Sequence, residues 1–440
     1  MKTVLVIGAA RSGIAVSKLL MKHDYQVLLT DMKEVPEKTE LEQAGIQVYD
    51  GGHPDELKRT DYAFVVKNPG IRYQVPFVHY FVEHHVPIYT EIEIAYRYAP
   101  EFTFAAVTGT DGKTTVTTML HLMLEKKAPS LAAGNIGIPL SEQVLQSDGT
   151  KKDVAIELSN FQLLGVDTFR PHVSVVTNLA PDHLDYMDTL EDYYRSKMNI
   201  YKNETKDDYF IRNVDDENIM KYAQNIPCTV IDFSLKRDDV DLYRKGHYAY
   251  YHDICLFDTD TLKIVGDFNC GDAMMAACMA YLMGVDVKDI QDVIEHFKGV
   301  EHRIEYVETI NGVRIYNDTK ATNTHSACAA LSAFDKNVIL LCGGKDKHIS
   351  FDDMKQFDQE VKYCISFGET KNHFKSIFTH WKAVETMEEA LKEALKMAEP
   401  GDTILLSPAC SSFDQFKNYE VRGEIFKDLV HKYAEAERED

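Results

Sequence analysis

The chain has 440 residues, too many for one hydrophobic core, so two or three domains are expected. Its 48 Lys and Arg against 70 Asp and Glu leave a net charge of −22, a field that repels a phosphodiester backbone and excludes nucleic acid as a partner. The hydrophobic fraction of 45% is that of an ordinary soluble protein, and no apolar run approaches a membrane span, which excludes membrane insertion. The eight cysteines show no Cys-x-x-Cys spacing and sit in mostly apolar contexts, the pattern of reduced, buried thiols in a cytoplasmic protein. The opening run Val4-Leu-Val-Ile-Gly is cut by Arg11 and is too short and strand-like for a signal peptide.

Residues 2–31 read as a strand from Thr3 to Ile7, a turn from Gly8 to Gly13, an amphipathic helix to about His23, and a strand ending at Asp31. This is the opening unit of a Rossmann-like fold. Ala10 replaces the middle fingerprint glycine, which restricts close backbone approach to a pyrophosphate and makes the turn a weak signal for NAD. Asp31 stands where a carboxylate receives ribose or base groups; capping of the strand end is the plainer alternative. A strand at Phe64 to Lys67 runs into the turn Asn68-Pro-Gly70, and another follows at Pro87-Ile-Tyr89. Tyr96 to Glu101, containing Pro100, is the first candidate boundary.

The stretch Phe104-Ala-Ala-Val-Thr-Gly-Thr-Asp-Gly-Lys-Thr-Thr-Val-Thr-Thr-Met119 organises the rest of the chain. Strand, glycine turn and helix start in that order make an anion cradle, with backbone N–H groups from Gly109 to Thr114 turned inward. Lys113 would reach the outer phosphates of a nucleotide and the Thr114 hydroxyl would sit on magnesium. Ala133-Gly-Asn-Ile-Gly137 is a further glycine turn, and the strand Val154-Ala-Ile-Glu157 ends on a carboxylate suited to magnesium. Asp182-His183 follows the strand Val173 to Asn178, and a helix from Thr189 to Tyr201 presents Lys197 near its end. Strand-like runs continue to about Ile264, and a helix from Gly271 to Gly284 carries alanines and methionines that read as core filler. Gly299 to Arg303 is the second candidate boundary. Beyond it, strands at Val313 to Asp318, Val338 to Gly344 and Thr403 to Ser407 alternate with helical patterns, the signature of a parallel, helix-covered sheet.

The motifs Gly109-Thr-Asp-Gly-Lys-Thr-Thr115, Gly134-Asn-Ile-Gly137, Glu157-Leu-Ser159, Asn178-Leu-Ala-Pro-Asp-His-Leu-Asp185, His302-Arg-Ile-Glu305 and Asn317-Asp-Thr-Lys-Ala-Thr-Asn323 together resemble the Mur ligases. These are the ATP-dependent amino-acid-adding enzymes of peptidoglycan synthesis. The late run Leu406-Ser-Pro-Ala-Cys-Ser-Ser-Phe-Asp-Gln-Phe-Lys-Asn-Tyr419 is similar to the branch that adds D-glutamate. The resemblance implies an α/β protein of three domains: a UDP-sugar-binding Rossmann-like domain over 1–95, a central P-loop ATPase-type domain over 96–299, and a Rossmann-like C-terminal domain over 300–440 that binds the amino acid and closes over ATP. It further implies ATP and two Mg2+ ions, UDP-N-acetylmuramoyl-L-alanine and D-glutamate as substrates, and a cytoplasmic monomer.

The chemistry suits such residues. Transfer of a γ-phosphoryl group to a carboxylate gives an acyl phosphate, which an amine attacks through a tetrahedral intermediate. Anionic ATP must first approach an anionic acceptor, so the site needs cations rather than a strong nucleophile. By the resemblance, Lys113, His183 and Lys197 form the catalytic set. Gly109, Thr110, Asp111, Gly112, Lys113, Thr114, Thr115, Asn269, Arg303 and Asp318 hold the nucleotide, with Asp318 on the ribose. Thr114, Glu157, His183 and a carbamylated Lys197 hold metal; a carbamate is a hard anionic ligand where an ammonium would repel the ion. Asn135 seats the acceptor, and Gly8, Arg11, Asp31, Asn68 and Gly70 line the uridine site. Lys320, Thr322, Lys347, Ser412 and Tyr419 fall to the amino-acid side. Asp111 and Asp272 stand where the family usually has asparagine, and an acid beside phosphates is tolerable if it points away or caps the next helix.

Three other readings differ in what they leave unexplained. A folylpolyglutamate-type ligase, or a related Mur-type ligase for another amino acid, shares the central loop; the folylpolyglutamate type is not expected to carry this N-terminal unit or this C-terminal run. A nicotinamide-dependent oxidoreductase uses the first glycine turn but leaves the phosphate loop idle. A nucleotide-gated interaction protein keeps the loop but has no use for the polar strand ends of a third domain. Taken singly, His183 also reads as a capping or core histidine and Lys197 as a solvated helix lysine.

Overall fold

Short apolar runs alternating with helical segments produce three separate sheets in the computed structural model, which describes residues 1–181, 187, 189–346 and 350–439. The first sheet contains β1 (Lys2–Ile7), β2 (Tyr25–Thr30), β3 (Gln47–Tyr49), β4 (Val65–Lys67) and β5 (Ile88–Tyr89) in the order β3-β2-β1-β4-β5, all parallel. Val4 and Val6 enter the core on one face of β1 and Leu5 and Ile7 the core on the other. That is why its sequence is continuously apolar rather than alternating.

The second sheet contains β6 (Phe102–Thr108), β7 (Leu131–Gly134), β8 (Lys152–Glu157), β9 (Val173–Val176), β10 (Tyr209–Asn213), β11 (Thr229–Ser234), β12 (Leu242–Lys245), β13 (Tyr248–Tyr251) and β14 (Ile254–Asp258). Their order is β14-β13-β12-β11-β10-β9-β6-β8-β7, parallel except for the antiparallel edge formed by β12, β13 and β14. The third sheet contains β15 (Glu305–Ile310), β16 (Val313–Asn317), β17 (Val338–Gly343), β18 (Val361–Phe367), β19 (Trp381–Ala383) and β20 (Thr403–Leu406), ordered β15-β16-β20-β17-β18-β19 with only β15 antiparallel. Among the described residues no helix is long and apolar enough to cross a membrane.

The chain divides into two compact units, one of residues 1–259 with 271–293, the other of 260–270 with 294–440. The first two sheets share the first unit because their cores merge: Leu19 and Ile92 pack in one cluster with Phe104, Ala106 and Ile156. In the second unit the segment 260–270 is tied to the third sheet, with Val265 against its core and the Tyr316 hydroxyl donating to Lys263 O at 3.2 Å. The alanine- and methionine-rich helix spans Asp267–Leu282, starting before the expected Gly271. Gly271 lies inside it because a side chain there would meet the Phe233 ring at 3.2 Å, so the glycine marks a close approach and not a helix start.

A buried carboxylate fastens the helix Glu91–Arg97 to the loop before β9. Glu93 is fully buried and accepts from the backbone N–H groups of Asp167, Thr168 and Phe169 at 2.9–3.0 Å, from the Thr168 hydroxyl at 2.6 Å, and from Arg97 Nε at 2.7 Å. Burial by itself raises the Glu93 pKa, but the Thr168 hydroxyl, the backbone donors and Arg97 outweigh it and hold the group below the usual carboxylate range. A carboxylate with a depressed pKa contributes stability above its unfolded pKa and loses it as pH falls through the folded value. Glu93→Gln is therefore expected to lower stability by about 2–3 kcal/mol near neutral pH. In denaturant titrations the gap to the parent should hold constant from pH 6 to 8 and shrink below about pH 4.5.

Candidate active site

The parallel strands β6, β7, β8 and β9 all deliver polar residues at their C-terminal ends, the edge at which open α/β sheets bind ligands. The loop after β6 runs into the helix Lys113–Lys127 through Gly112, which takes φ +77°. A Cβ at Gly112 would lie 2.4 Å from Asp272 Oδ1, so only glycine fits between that carboxyl and the loop. The loop is held from β9: Thr110 N donates to Asn178 O at 3.0 Å, Asp111 N to Asn178 Oδ1 at 2.9 Å, and the Thr177 hydroxyl to Asp111 O at 2.6 Å. Asp111 itself is exposed and does not cap the helix, whose N-cap residue Gly112 has no side chain to offer. Capping is thus not how this acid is accommodated; it stands exposed to solvent. Lys113 Nζ donates to Thr110 O at 2.7 Å, Thr114 lies half-buried and Thr115 is buried.

Two charged groups close this cradle from the neighbouring elements. Glu157, at the end of β8, is buried; its Oε1 accepts from Asn135 Nδ2 at 2.9 Å, while Oε2 has no hydrogen-bond partner among the described residues. Lys197, at the end of the helix Leu190–Lys197, is 2% exposed, donates to Gly109 O at 2.6 Å and lies 4.6 Å from the centre of the Tyr193 ring. A solvated helix lysine is thereby ruled out. His183 lies outside the described residues, as does Lys347.

A cleft of about 300 Å³ opens between the first sheet's loops and those of the second, lined in part by Asn68, Pro69, Gly70, Glu91, Asn135 and Ser159. Asp31 accepts from Ala9 N at 2.7 Å and from Lys33 N at 2.9 Å, so it ties the first glycine turn to the end of β2. Asn68 Oδ1 accepts from Gly70 N at 3.1 Å, and Arg11 reaches Gly137 O and Glu142, each at 3.4 Å. Sequence reasoning missed two buried groups here. Lys67 donates to the carbonyls of Asn68, Pro69 and Ile71 at 2.6–3.2 Å and lies over the Tyr73 ring, and burial pushes its pKa down to about 7. Glu91 accepts from Ser141 N; burial raises its pKa to about 7 against that hydrogen bond. A charged residue interrupting a buried strand was the available signal for Lys67.

The remaining candidates lie in the second unit. Asp318 is 4% exposed, accepts from the Ser407 hydroxyl at 2.7 Å and from Ile304 N at 3.3 Å, and burial raises its pKa to about 7. Lys320 Nζ sits 5.9 Å from the centre of the Tyr419 ring, and Thr322 N donates to Lys320 O at 2.9 Å. Ser412 is buried, and its carbonyl accepts from Gln415 N and Phe416 N. Arg303 is exposed, and Asn269 Nδ2 donates to Val265 O at 2.6 Å.

Residues 107–280 match the Mur ligase middle domain and residues 302–410 the Mur ligase glutamate ligase domain, so this chain belongs to the Mur ligase family. Relatives along nearly the whole chain narrow the placement. It is 41% identical to a UDP-N-acetylmuramoylalanine–D-glutamate ligase of Geobacillus, covering 98% of both chains. It is 38% identical to the protein of that name from Listeria monocytogenes, covering 99% of this chain and 97% of that one. The fold is that of a MurF from Acinetobacter baumannii (TM-score 0.59, 15% identity, 97% and 93% of the two chains covered) and of a UDP-N-acetylmuramate-alanine ligase from Thermotoga maritima (TM-score 0.54, 18% identity, 99% and 100% covered).

Asp272 provides a test of how the phosphate loop is supported. It is 4% exposed, and burial, then the nearby Asp111 charge, pushes its pKa up to about 8. A raised carboxyl pKa means that stability is full below the unfolded pKa and is lost as pH rises through the folded value. Asp272→Asn is expected to be more stable than the parent at pH 8 by roughly 2–4 kcal/mol. Chemical denaturation at several pH values should show that advantage vanish by about pH 4.

Proposed function

We propose that this protein is an ATP-dependent ligase that joins D-glutamate to UDP-N-acetylmuramoyl-L-alanine through an acyl phosphate, a step of peptidoglycan precursor synthesis carried out in the cytoplasm. The observation that carries the reading is the cradle after β6, where a buried lysine bonds the phosphate-type loop at Gly109 and the adjacent strand β8 ends on a buried carboxylate with an unpartnered oxygen. The names of the relatives give the substrates. We assign residues 1–95 to the nucleotide-sugar domain, 96–299 to the phosphate-loop domain and 300–440 to the amino-acid domain.

In this reading the loop N–H groups and Lys113 bind the ATP phosphates. The cleft beside Asn68 and Asn135 takes the acceptor and keeps water from its activated carboxyl. Asp31 and Lys67 hold the turns that shape the nucleotide-sugar site. Thr322, Lys347, Ser412 and Tyr419 bind D-glutamate in the second unit. The open Oε2 of Glu157, with Asn135 fixing the other oxygen, fits a hard divalent cation. Thr114 and Glu157 would hold one magnesium ion, and His183 with a carbamylated Lys197 a second. Bound magnesium would offset the phosphate charges. Reaction of the neutral Lys197 amine with carbon dioxide forms an N–C bond and releases a proton, turning a cation into an anionic oxygen ligand.

Phosphate release from ATP with UDP-N-acetylmuramoyl-L-alanine should require D-glutamate. L-glutamate should fail, because inversion at Cα moves either the amine or the side-chain carboxylate off its anchor, and D-alanine should be poor for want of the second carboxylate. Equal rates with D- and L-glutamate would remove the D-glutamate assignment.

Lys197→Ala should lose nearly all ligase activity while keeping its fold and much of its ATP affinity, since Lys113 remains. Formate or acetate should restore part of the rate by supplying a carboxylate at the vacated position. Near-normal activity of this variant without any added carboxylate would show that no carbamate acts at residue 197.

A further inference from the structure

The order β16-β20-β17 brings three loops side by side at the C-terminal edge of the third sheet. Thr319 follows β16, Cys410 follows β20 and Gly344 follows β17. One side chain reaches all three. Arg422, in the first turns of the helix Tyr419–Glu439, is fully buried and is among the largest such side chains in the protein. Its Nε donates to the Thr319 hydroxyl at 2.8 Å, and its Nη2 donates to Thr319 O at 2.9 Å and to Cys410 O at 3.1 Å. Its Nη1 is buried and has no hydrogen-bond partner among the described residues. That nitrogen faces Gly344: a Cβ there would stand 3.3 Å from Nη1 and 2.4 Å from Ser411 O, so only glycine lets loop and guanidinium approach. Lys345 N, the next residue, donates to Ser411 O at 2.9 Å.

Packing alone does not account for an arginine in this position. A cation near a helix N-terminus opposes the helix dipole, and a buried guanidinium is unfavourable unless its donors are met. Among the described residues no carboxylate hydrogen-bonds to it. Asp318 and Asp414 act on it only through their charge, and burial lowers its pKa to about 10, which leaves it a cation at neutral pH. What the arrangement gains is geometry. A planar fork spans Thr319 and Cys410 together, which the point charge of a lysine cannot do. The segments so held carry Lys320 and Thr322 on one side and Ser412 on another. A dianionic amino acid requires those groups at fixed separations, and a fixed cation behind them favours its carboxylates electrostatically.

We propose that Arg422 is a positioning residue for the amino-acid substrate: through Thr319 and Cys410, and by close approach to Gly344, it sets the three loops that form the pocket. The proposal rests on the D-glutamate reading above. It assigns a binding role to a residue that does not itself touch the substrate.

The test is steady-state kinetics on the full-length enzyme with Arg422→Lys, Arg422→Met and Thr319→Val, the last removing the hydroxyl that Nε addresses. Wild-type dependence on D-glutamate is measured first, and its absence would overturn the underlying reading rather than this residue's role. Given that dependence, Arg422→Lys and Thr319→Val should raise the KM for D-glutamate by at least about tenfold, the loss expected for one charge-assisted hydrogen bond. The KM for the UDP-sugar should stay within about twofold, because its site lies in the other unit. Arg422→Met should show the larger effect, and if it does not fold the other two variants decide. An unchanged KM for D-glutamate in Arg422→Lys and Thr319→Val would overturn the proposal. So would a fall in melting temperature with an equal rise of the KM for all three substrates, which is the mark of a purely structural residue.

Discussion

The hydrogen bond from Lys197 Nζ to Gly109 O, 2.6 Å long and sealed from solvent, ties the helix Leu190–Lys197 to the point where the phosphate loop leaves β6, and the candidate site is arranged around that joint. A protein carrying a net charge of −22 must concentrate positive potential locally to bind a polyanion. The loop does so with backbone N–H groups, a helix N-terminus and Lys113, while Lys197 fastens it through Gly109. The buried Lys197 nitrogen is accommodated because a carbonyl and the Tyr193 ring face take the place of water. It also occupies the place where the loop turns away from β6, so that this side chain, with Thr177 and Asn178 on the other side, fixes the loop conformation.

Acidic groups are arranged around this centre by the same logic. Glu157 has one oxygen held by Asn135 and the other without a hydrogen-bond partner among the described residues. Asp111 is turned to solvent, and its main chain is clamped by Thr177 and Asn178. Asp272 is buried against Gly112, and its raised pKa means that it favours the neutral form, so it adds little negative charge to a site that binds phosphate. A mostly neutral acid is thus kept beside the loop, at the cost of a stability that varies with pH.

The joint between the first two sheets is also built from a buried carboxylate. Glu93 collects three backbone N–H groups of the loop 167–169, and Thr90 donates to Gln162 O at 3.0 Å beside it. Backbone donors at the start of a segment prefer an anionic acceptor, and Arg97 balances its charge. The cleft lined by Asn68, Glu91 and Asn135 is therefore bounded by elements of one compact unit, joined through the buried Glu93 carboxylate. Its shape is a property of the fold and not of a flexible linker.

The sequence by itself determined what depends on neighbours along the chain. The strand, glycine turn and helix from Phe102 to Lys127, the acid at the end of β8, the helix that carries Lys197 and the strands β1, β2, β4, β16, β17 and β20 follow from local period and turn chemistry. Such signals span only a few residues, so they survive in one dimension. Where local reading went wrong, at Gly271, the glycine answered to the ring of Phe233, and no nearby residue announces that contact. Tertiary structure decided the fate of the buried charges. Glu91, Glu93 and Arg422 look like surface residues in a sequence, since charged side chains are seldom buried. Glu93 finds donors 74–76 residues away, Lys197 a carbonyl 88 away and Arg422 a hydroxyl 103 away. A charge can be buried only where such partners converge, and that convergence is set by the order of strands in the sheet, which the chain acquires only on folding.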